Sequence, residues 1–295
     1  MSEYLGIDVG GSSIKFSLMD DSGQPTGQPF SIAHSGHDSR GALEVGLHRA
    51  LTEGTPSAVG IGSPGYLSVD RKHVLFAANL GWSNFPIVDF VSQIVGVPAF
   101  LDGDAQVAAL AELRLGAARQ AKSALYLSLG TGIGCSVIVG GKVLAGAHGM
   151  AGNAGHSPVA RNLKTCACGK SGCWETVASA KALIDMSEKS PLDFYAACQQ
   201  ADADALVILD EWVEWLALGL TPLLGLLDPQ RVIIGGAISE YSDLFVERLA
   251  VACSSHLLGA DYVGVPEFVP AQCGAHAGVL GAALLAIDGM ARSAK

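Results

Sequence analysis

The chain has 295 residues, 49% of them hydrophobic, with 37 glycines and a formal net charge of −10. That length suits two lobes of about 100–200 residues each, with a sizeable core and many tight turns. The acidic balance argues against a nucleic-acid or anionic-membrane partner, though not against a nucleotide, whose phosphates are held by local backbone amides and Mg2+.

The start, Met1-Ser2-Glu3, places an acid where a secretory leader carries a basic region. The most apolar helical stretch, Leu216 to Leu227, is too short to span a bilayer and follows Asp210, Glu211 and Glu214, so a buried helix is expected. The seven cysteines are odd in number and clustered. This fits reduced thiols and a metal site better than a disulfide framework, so a cytoplasmic location is expected.

In chain order, Tyr4 to Asp8 is an apolar run ending at Gly10-Gly11, and Ile14 to Met19 resumes it, the pattern of a hairpin with a glycine turn. A helix over Leu43 to Leu51 precedes a strand at Ala58 to Ile61. A helix near Val88 to Val95 precedes a strand at Val97 to Leu101, and Asp104 opens a helix with Val107, Leu110 and Ala111 on its apolar side. The pattern then begins again. Ala124 to Leu129, the turn Gly130 to Gly134 and Cys135 to Val139 repeat the N-terminal arrangement about 120 residues later, which suggests two similar lobes across a cleft. Helices are expected over Thr176 to Lys189, Asp204 to Leu227, Asp243 to Leu257 and Ala277 to Ile287, and a buried strand over Arg231 to Ile234. Strands alternating with helices make this an α/β chain. The expected division is a small lobe over residues 1–112, a large lobe over 113–279, and a C-terminal helix near 280–295 packing back on the first.

Asp8, Gly10, Gly11, Ser12 and Lys15 put an acid, glycines and hydroxyls at one strand end. Glycine lets the backbone approach a phosphate, turn amides can bind its oxygens, and Asp8 could hold Mg2+ through water. Gly130, Thr131, Gly132 and Gly134 offer the same chemistry. Tight hairpins would use the same glycines; two copies favour the phosphate reading. Gly60 to Gly65 formally satisfies the dinucleotide fingerprint, but Pro64-Gly65-Tyr66 reads as a turn into an extended segment rather than a helix start, so a Rossmann dehydrogenase is rejected.

Cys166, Cys168 and Cys173 lie within eight residues, separated by glycines, and His156 is ten residues upstream. Together they make a Cys3His set, and four protein ligands leave no open position, so such a zinc would be structural. Cys135, Cys198, Cys253 and Cys273 read as small buried residues. Asp104 sits where a helix begins, as either an N-cap or a general base; spacing favours the cap, and Asp102 is a rival base. Asn79, Glu175 and His156 are candidate sugar contacts.

In this order the pieces resemble the ROK family of bacterial sugar kinases and repressors, within the two-lobed actin-like ATPase (ribonuclease H-like) fold. The most specific element is Gly155-His156 followed by Cys166-x-Cys168-Gly-x-x-Gly-Cys173-x-Glu175. The first phosphate loop resembles the family's Asp-x-Gly-Gly-Thr with Ser12 for Thr, and Ile234-Gly235-Gly236 resembles its adenosine motif. The resemblance implies that Asp104 is the catalytic base, that His156 binds zinc with one ring nitrogen and faces the sugar with the other, and that Glu175 binds sugar. It also implies a homodimer, and ATP with Mg2+. Two sugar-side positions depart: Gly103 stands where the family usually has Asn, and Asn153 where it usually has Glu. Hexose phosphorylation, most simply at the 6-hydroxyl, is therefore expected. The alternatives are a kinase for another polyol (an amino sugar, mannose, fructose or a cyclitol) or a sugar sensor. A repressor would carry a DNA-binding segment ahead of the first loop, which begins here at Asp8.

Overall fold

The computed structural model describes residues 2–161 and 163–293; Met1 and the last two residues of the expected C-terminal helix lie outside them. The chain divides into two compact units, Met1–Gly116 with Ala145–Ala151 and Ala275–Lys295, and Ala117–Leu144 with Gly152–Gly274.

In the first unit β1 (Glu3–Val9) and β2 (Ser13–Asp20) form the expected hairpin, with Asp8 opposite Lys15. β3 (Phe30–Ala33) flanks β2, while β4 (Pro56–Ser63) runs parallel to β1. β5 (Tyr66–Leu67), β6 (Val74–Ala77) and β7 (Trp82–Phe85) make a separate small sheet, and β8 (Ala99–Gly103) pairs with β4. The main sheet has the order β3-β2-β1-β4-β8. Helices α1 (Ser39–Glu53), α2 (Ile87–Val95) and α3 (Asp104–Leu115) complete the unit with the C-terminal helix, Ala277–Ser293.

That C-terminal helix packs against β1, β4 and α3. Its close approach depends on glycine: a Cβ on Gly6 would run into the Val279 carbonyl, one on Gly60 into that of Ala282, and one on Gly281 into that of Val107. Gly60 is therefore a packing residue, and Gly65, at φ +96, turns the chain into strand β5 rather than into the helix a dinucleotide fingerprint needs. With its preceding turn, Gly274–Ser293 is the helix among the described residues long and apolar enough to cross a membrane. Half of it is buried in this unit, the position of a core helix. Elsewhere Phe16 is fully buried, stacked on Phe30 at 5.0 Å and seated against the gap left by Gly46. Truncating it to Ala would cost about 3–5 kcal/mol.

The second unit repeats the topology. β9 (Ser123–Leu129), β10 (Ile133–Val139) and β11 (Lys142–Val143) are antiparallel, while β12 (Arg231–Gly235) and β13 (Glu267–Pro270) join parallel to β9, giving β11-β10-β9-β12-β13. The helices are α4 (Glu175–Ala178), α5 (Ala180–Ser187), α6 (Pro191–Gln199), α7 (Ala203–Leu227), α8 (Val246–His256) and α9 (Ala260–Val263). The single helix expected over 176–189 is broken at Ser179, whose extended backbone stops α4 and whose hydroxyl accepts the Ala182 N–H to cap α5. Trp174 anchors the core: its indole N–H donates to the Trp215 carbonyl at 2.9 Å, and its ring fills the space left by Gly219 on α7.

Candidate active site and metal centre

Asp8 ends β1 at the first glycine turn, half-buried, with its carboxyl raised by desolvation and held down in part by Lys15 at 3.7 Å. Lys15 also donates to the Ala275 carbonyl at 3.0 Å. The turn is compact, since Gly10 N–H donates to the Ser13 carbonyl, while Gly11 and Ser12 are exposed. Gly278, which with Gly274 and Ala277 resembles the family's C-terminal nucleotide-side segment, belongs here. A Cβ on Gly278, in the first turn of the C-terminal helix, would lie 2.5 Å from the Asp8 carboxyl carbon. Glycine there lets a helix N-terminus, which favours negative charge, close on Asp8.

The N-cap of α3 is Gly103, not Asp104. Asp104 is the first helical residue, and its carboxylate accepts the Ala105 N–H at 2.7 Å. The residue is exposed at the surface, although many protein atoms lie around its carboxyl. Desolvation pushes its carboxyl up to about 6; the Ala105 bond opposes that rise and the Asp8 charge adds to it. Asp102 differs. It is paired with Arg71 at 3.1 Å, and its carboxyl is raised by burial against the pull of that guanidinium. Arg71 also donates to the Gly149 carbonyl at 3.3 Å, and Gln106 donates from Nε2 to the Ala151 carbonyl at 3.1 Å. Both bonds fix the segment Ala145–Ala151, whose membership of this unit was not legible from the sequence. Asn79 is exposed in the short turn Ala78–Leu80, with its carbonyl against Gly36.

In the second unit, the Gly130 N–H donates to the Gly132 carbonyl, and Gly134 pairs with Ser128 at the mouth of the β9–β10 hairpin. Thr131 is exposed at the tip. At the end of β12, Gly235 lies against the Tyr126 ring and Gly236, at φ +86, against the Leu129 backbone. Beyond them an apolar pocket is lined by Ala180, Ile184, Ala237, Ile238 and Tyr241 among others.

His156, Cys166, Cys168 and Cys173 converge, with their ligand atoms all within 4.8 Å of one another. Cys168 and Cys173 sulfurs are 3.6 Å apart, and Cys166 Sγ lies 3.7 Å from His156 Nδ1. Tetrahedral zinc with sulfur at ~2.3 Å and nitrogen at ~2.0 Å requires edges of about 3.5–3.8 Å, which these two separations match, and the remaining donors lie close enough to complete such a set with small adjustments. Glu175 lies beside it: Oε1 is 2.9 Å from Cys166 Sγ and 3.3 Å from His156 Nδ1, while Oε2 accepts the Ile133 N–H at 3.4 Å. That carboxylate occupies the space where a Cβ on Gly132 would stand, so it touches both the thiol cluster and the glycine turn. Asn153 is exposed ahead of the short turn carrying His156. Cys135 and Cys253 are buried thiols that burial pushes to about 12, whereas Cys273 is only half-buried, contrary to expectation, because it follows β13 in a loop.

Two sheets of identical strand order, each with a glycine-turn hairpin at its centre, define the actin-like ATPase fold. Residues 4–289 match the ROK family, and the chain belongs to it. It is 30% identical over 308 residues to a glucokinase of Halalkalibacterium halodurans, an alignment covering 94% of this chain and 93% of the relative. It is also 30% identical to a xylose repressor of Bacillus subtilis, covering 96% of this chain and 77% of that protein. Among solved structures, a ROK family glucokinase from Streptomyces griseus in complex with glucose and AMPPNP is 31% identical, with a TM-score of 0.88 over 98% of this chain and 100% of that one.

Proposed function

We propose that this chain is an ATP-dependent carbohydrate kinase that transfers the γ-phosphoryl group to a hydroxyl of a hexose. Family membership and the glucokinase likeness support the reaction class. The observation that carries the chemistry is the contrast between two carboxylates two residues apart: Asp102 is committed to Arg71, while Asp104 stands at the start of α3 with its carboxyl raised toward neutrality. A base of that kind can take a proton near physiological pH.

Asp104 accepts the hydroxyl proton as the acceptor oxygen attacks the phosphorus, and ADP leaves with the bridging oxygen. Phosphoryl transfer depends chiefly on positioning and electrostatics, so most of the machinery is backbone. Gly10, Gly11 and Ser12 in one turn, and Gly130, Thr131, Gly132 and Gly134 in the other, offer amides to the phosphates; Lys15 adds charge. Asp8 would hold Mg2+ through water, and the ion when bound neutralises charge on the phosphate oxygens. Gly235 and Gly236 and the apolar pocket beyond them suit the adenosine. The Cys3His set would hold a structural zinc, fixing the His156 ring through Nδ1 and leaving Nε2 for the acceptor; Glu175 and Asn153 complete that side.

The test is release of ADP from ATP·Mg2+ by the purified protein across glucose, mannose, fructose, N-acetylglucosamine and myo-inositol, with mass spectrometry of the product. A phosphorylated hexose is expected. Phosphorylation of inositol alone would move the reading to a cyclitol kinase, and no turnover with any acceptor would support a sugar sensor instead.

A further inference from the structure

Gly103 has ordinary extended backbone, φ −67 and ψ 151, so no strain requires glycine there. Space does. A Cβ on Gly103 would fall deep inside contact distance of Gln106 Oε1, with the carboxamide carbon 3.1 Å away. The Gln106 side chain thus folds back over the start of its own helix and fills the place a side chain at 103 would take. It is held there, because Nε2 donates to the Ala151 carbonyl at 3.1 Å in a half-buried setting. The same segment, Ala145–Ala151, is gripped next door by Arg71, whose guanidinium lies on Gly149 and pairs with Asp102. After its bond to Ala151, the carboxamide keeps one N–H and the lone pairs of Oε1. Asp104 lies between Gly103 and Gln106 in the chain, on the same first turn.

We propose that Gln106 is a specificity-determining residue of the acceptor site, its pinned carboxamide reading a hydroxyl of the polyol next to the one that Asp104 deprotonates. This rests on the kinase reading above and deepens it. A polyol offers neighbouring hydroxyls that both donate and accept, and a carboxamide answers both roles where a carboxylate or an ammonium answers one. A site with a fixed polar partner discriminates against acceptors that leave that partner unmatched. Gly103 and Gln106 act as one device, because any side chain at 103 must evict the carboxamide.

The experiment compares wild type, Gln106→Met, Gln106→Ala, Gly103→Ala and the double variant Gly103→Ala/Gln106→Ala in the same ADP-release assay over the same acceptors. Met keeps the length and bulk of Gln without its hydrogen bonds. Gln106→Met and Gly103→Ala should each raise the acceptor KM about tenfold and reorder acceptor preference, with the KM for ATP unchanged. The double variant should be no worse than Gln106→Ala alone, since Gly103→Ala acts only by displacing the carboxamide. Unchanged acceptor KM and ranking in Gln106→Met would overturn the proposal. So would single effects that multiply in the double variant, or a parallel loss of ATP affinity, which would mark a structural role. Absence of turnover by wild type with every acceptor would instead defeat the kinase reading itself, and this proposal with it.

Discussion

Arg71 holds Asp102 at 3.1 Å across a turn of chain that the sequence does not connect, while Asp104 has no basic partner among the described residues. On the proposed mechanism the first carboxylate is structural and the second is the base. Asp104→Asn should lower kcat by about 10²–10⁴-fold with acceptor affinity within about tenfold. Asp102→Asn should leave kcat within about tenfold but lower the melting temperature, because Arg71 loses its partner in a half-buried position. The reverse pattern in steady-state kinetics and thermal melts would exchange the two roles.

The raised Asp104 carboxyl fixes the direction of a pH effect. On the proposed mechanism, below about 6 the group holds its proton and cannot accept another, and above it the carboxylate is the form that can act as base. Acceptor kcat/KM should therefore rise from pH 5 to a plateau near neutrality and fall on the acid side by about tenfold per pH unit. The limb should be missing from the residual activity of Asp104→Asn. A flat wild-type profile from pH 5 to neutrality would separate Asp104 from proton transfer.

The donor set of His156, Cys166, Cys168 and Cys173 predicts one zinc per chain by elemental analysis. Cys168→Ser or prolonged chelation should lower the melting temperature and weaken acceptor binding together, since on the proposed mechanism one ring serves both. A metal-free protein with unchanged melting would remove zinc from the account.

Gly278 and Asp8 supply a test in the first unit. Gly278→Ala would put a methyl 2.5 Å from the Asp8 carboxyl carbon and force that side chain aside, whereas Gly11→Ala meets nothing within 4 Å. A displaced carboxylate should raise the Mg2+ requirement and lower kcat by about 10–100-fold in Gly278→Ala. Gly11→Ala should have a much smaller effect on Mg2+ dependence. Equal effects would mean that the Gly278 contact does not organise the metal side.

Local rules made much of this protein legible in its sequence. Alternation, glycine turns and helical spacing act over a few residues, so the two hairpins, the repeat about 120 residues apart and the thiol cluster around Gly169 and Gly172 were written in neighbouring positions. What long-range packing decides was not. Nothing local sends Ala145–Ala151 back to the first unit, pairs Arg71 with Asp102, or brings Gly278 against Asp8; those follow from side chains meeting across tens or hundreds of residues. Even Gly60, which imitates a nucleotide fingerprint in one dimension, is explained by a helix more than two hundred residues later. The sequence by itself determined which groups are available for chemistry. Folding settled which carboxylate meets an arginine and which has no basic partner among the described residues, because burial and charge pairing are properties of neighbours in space.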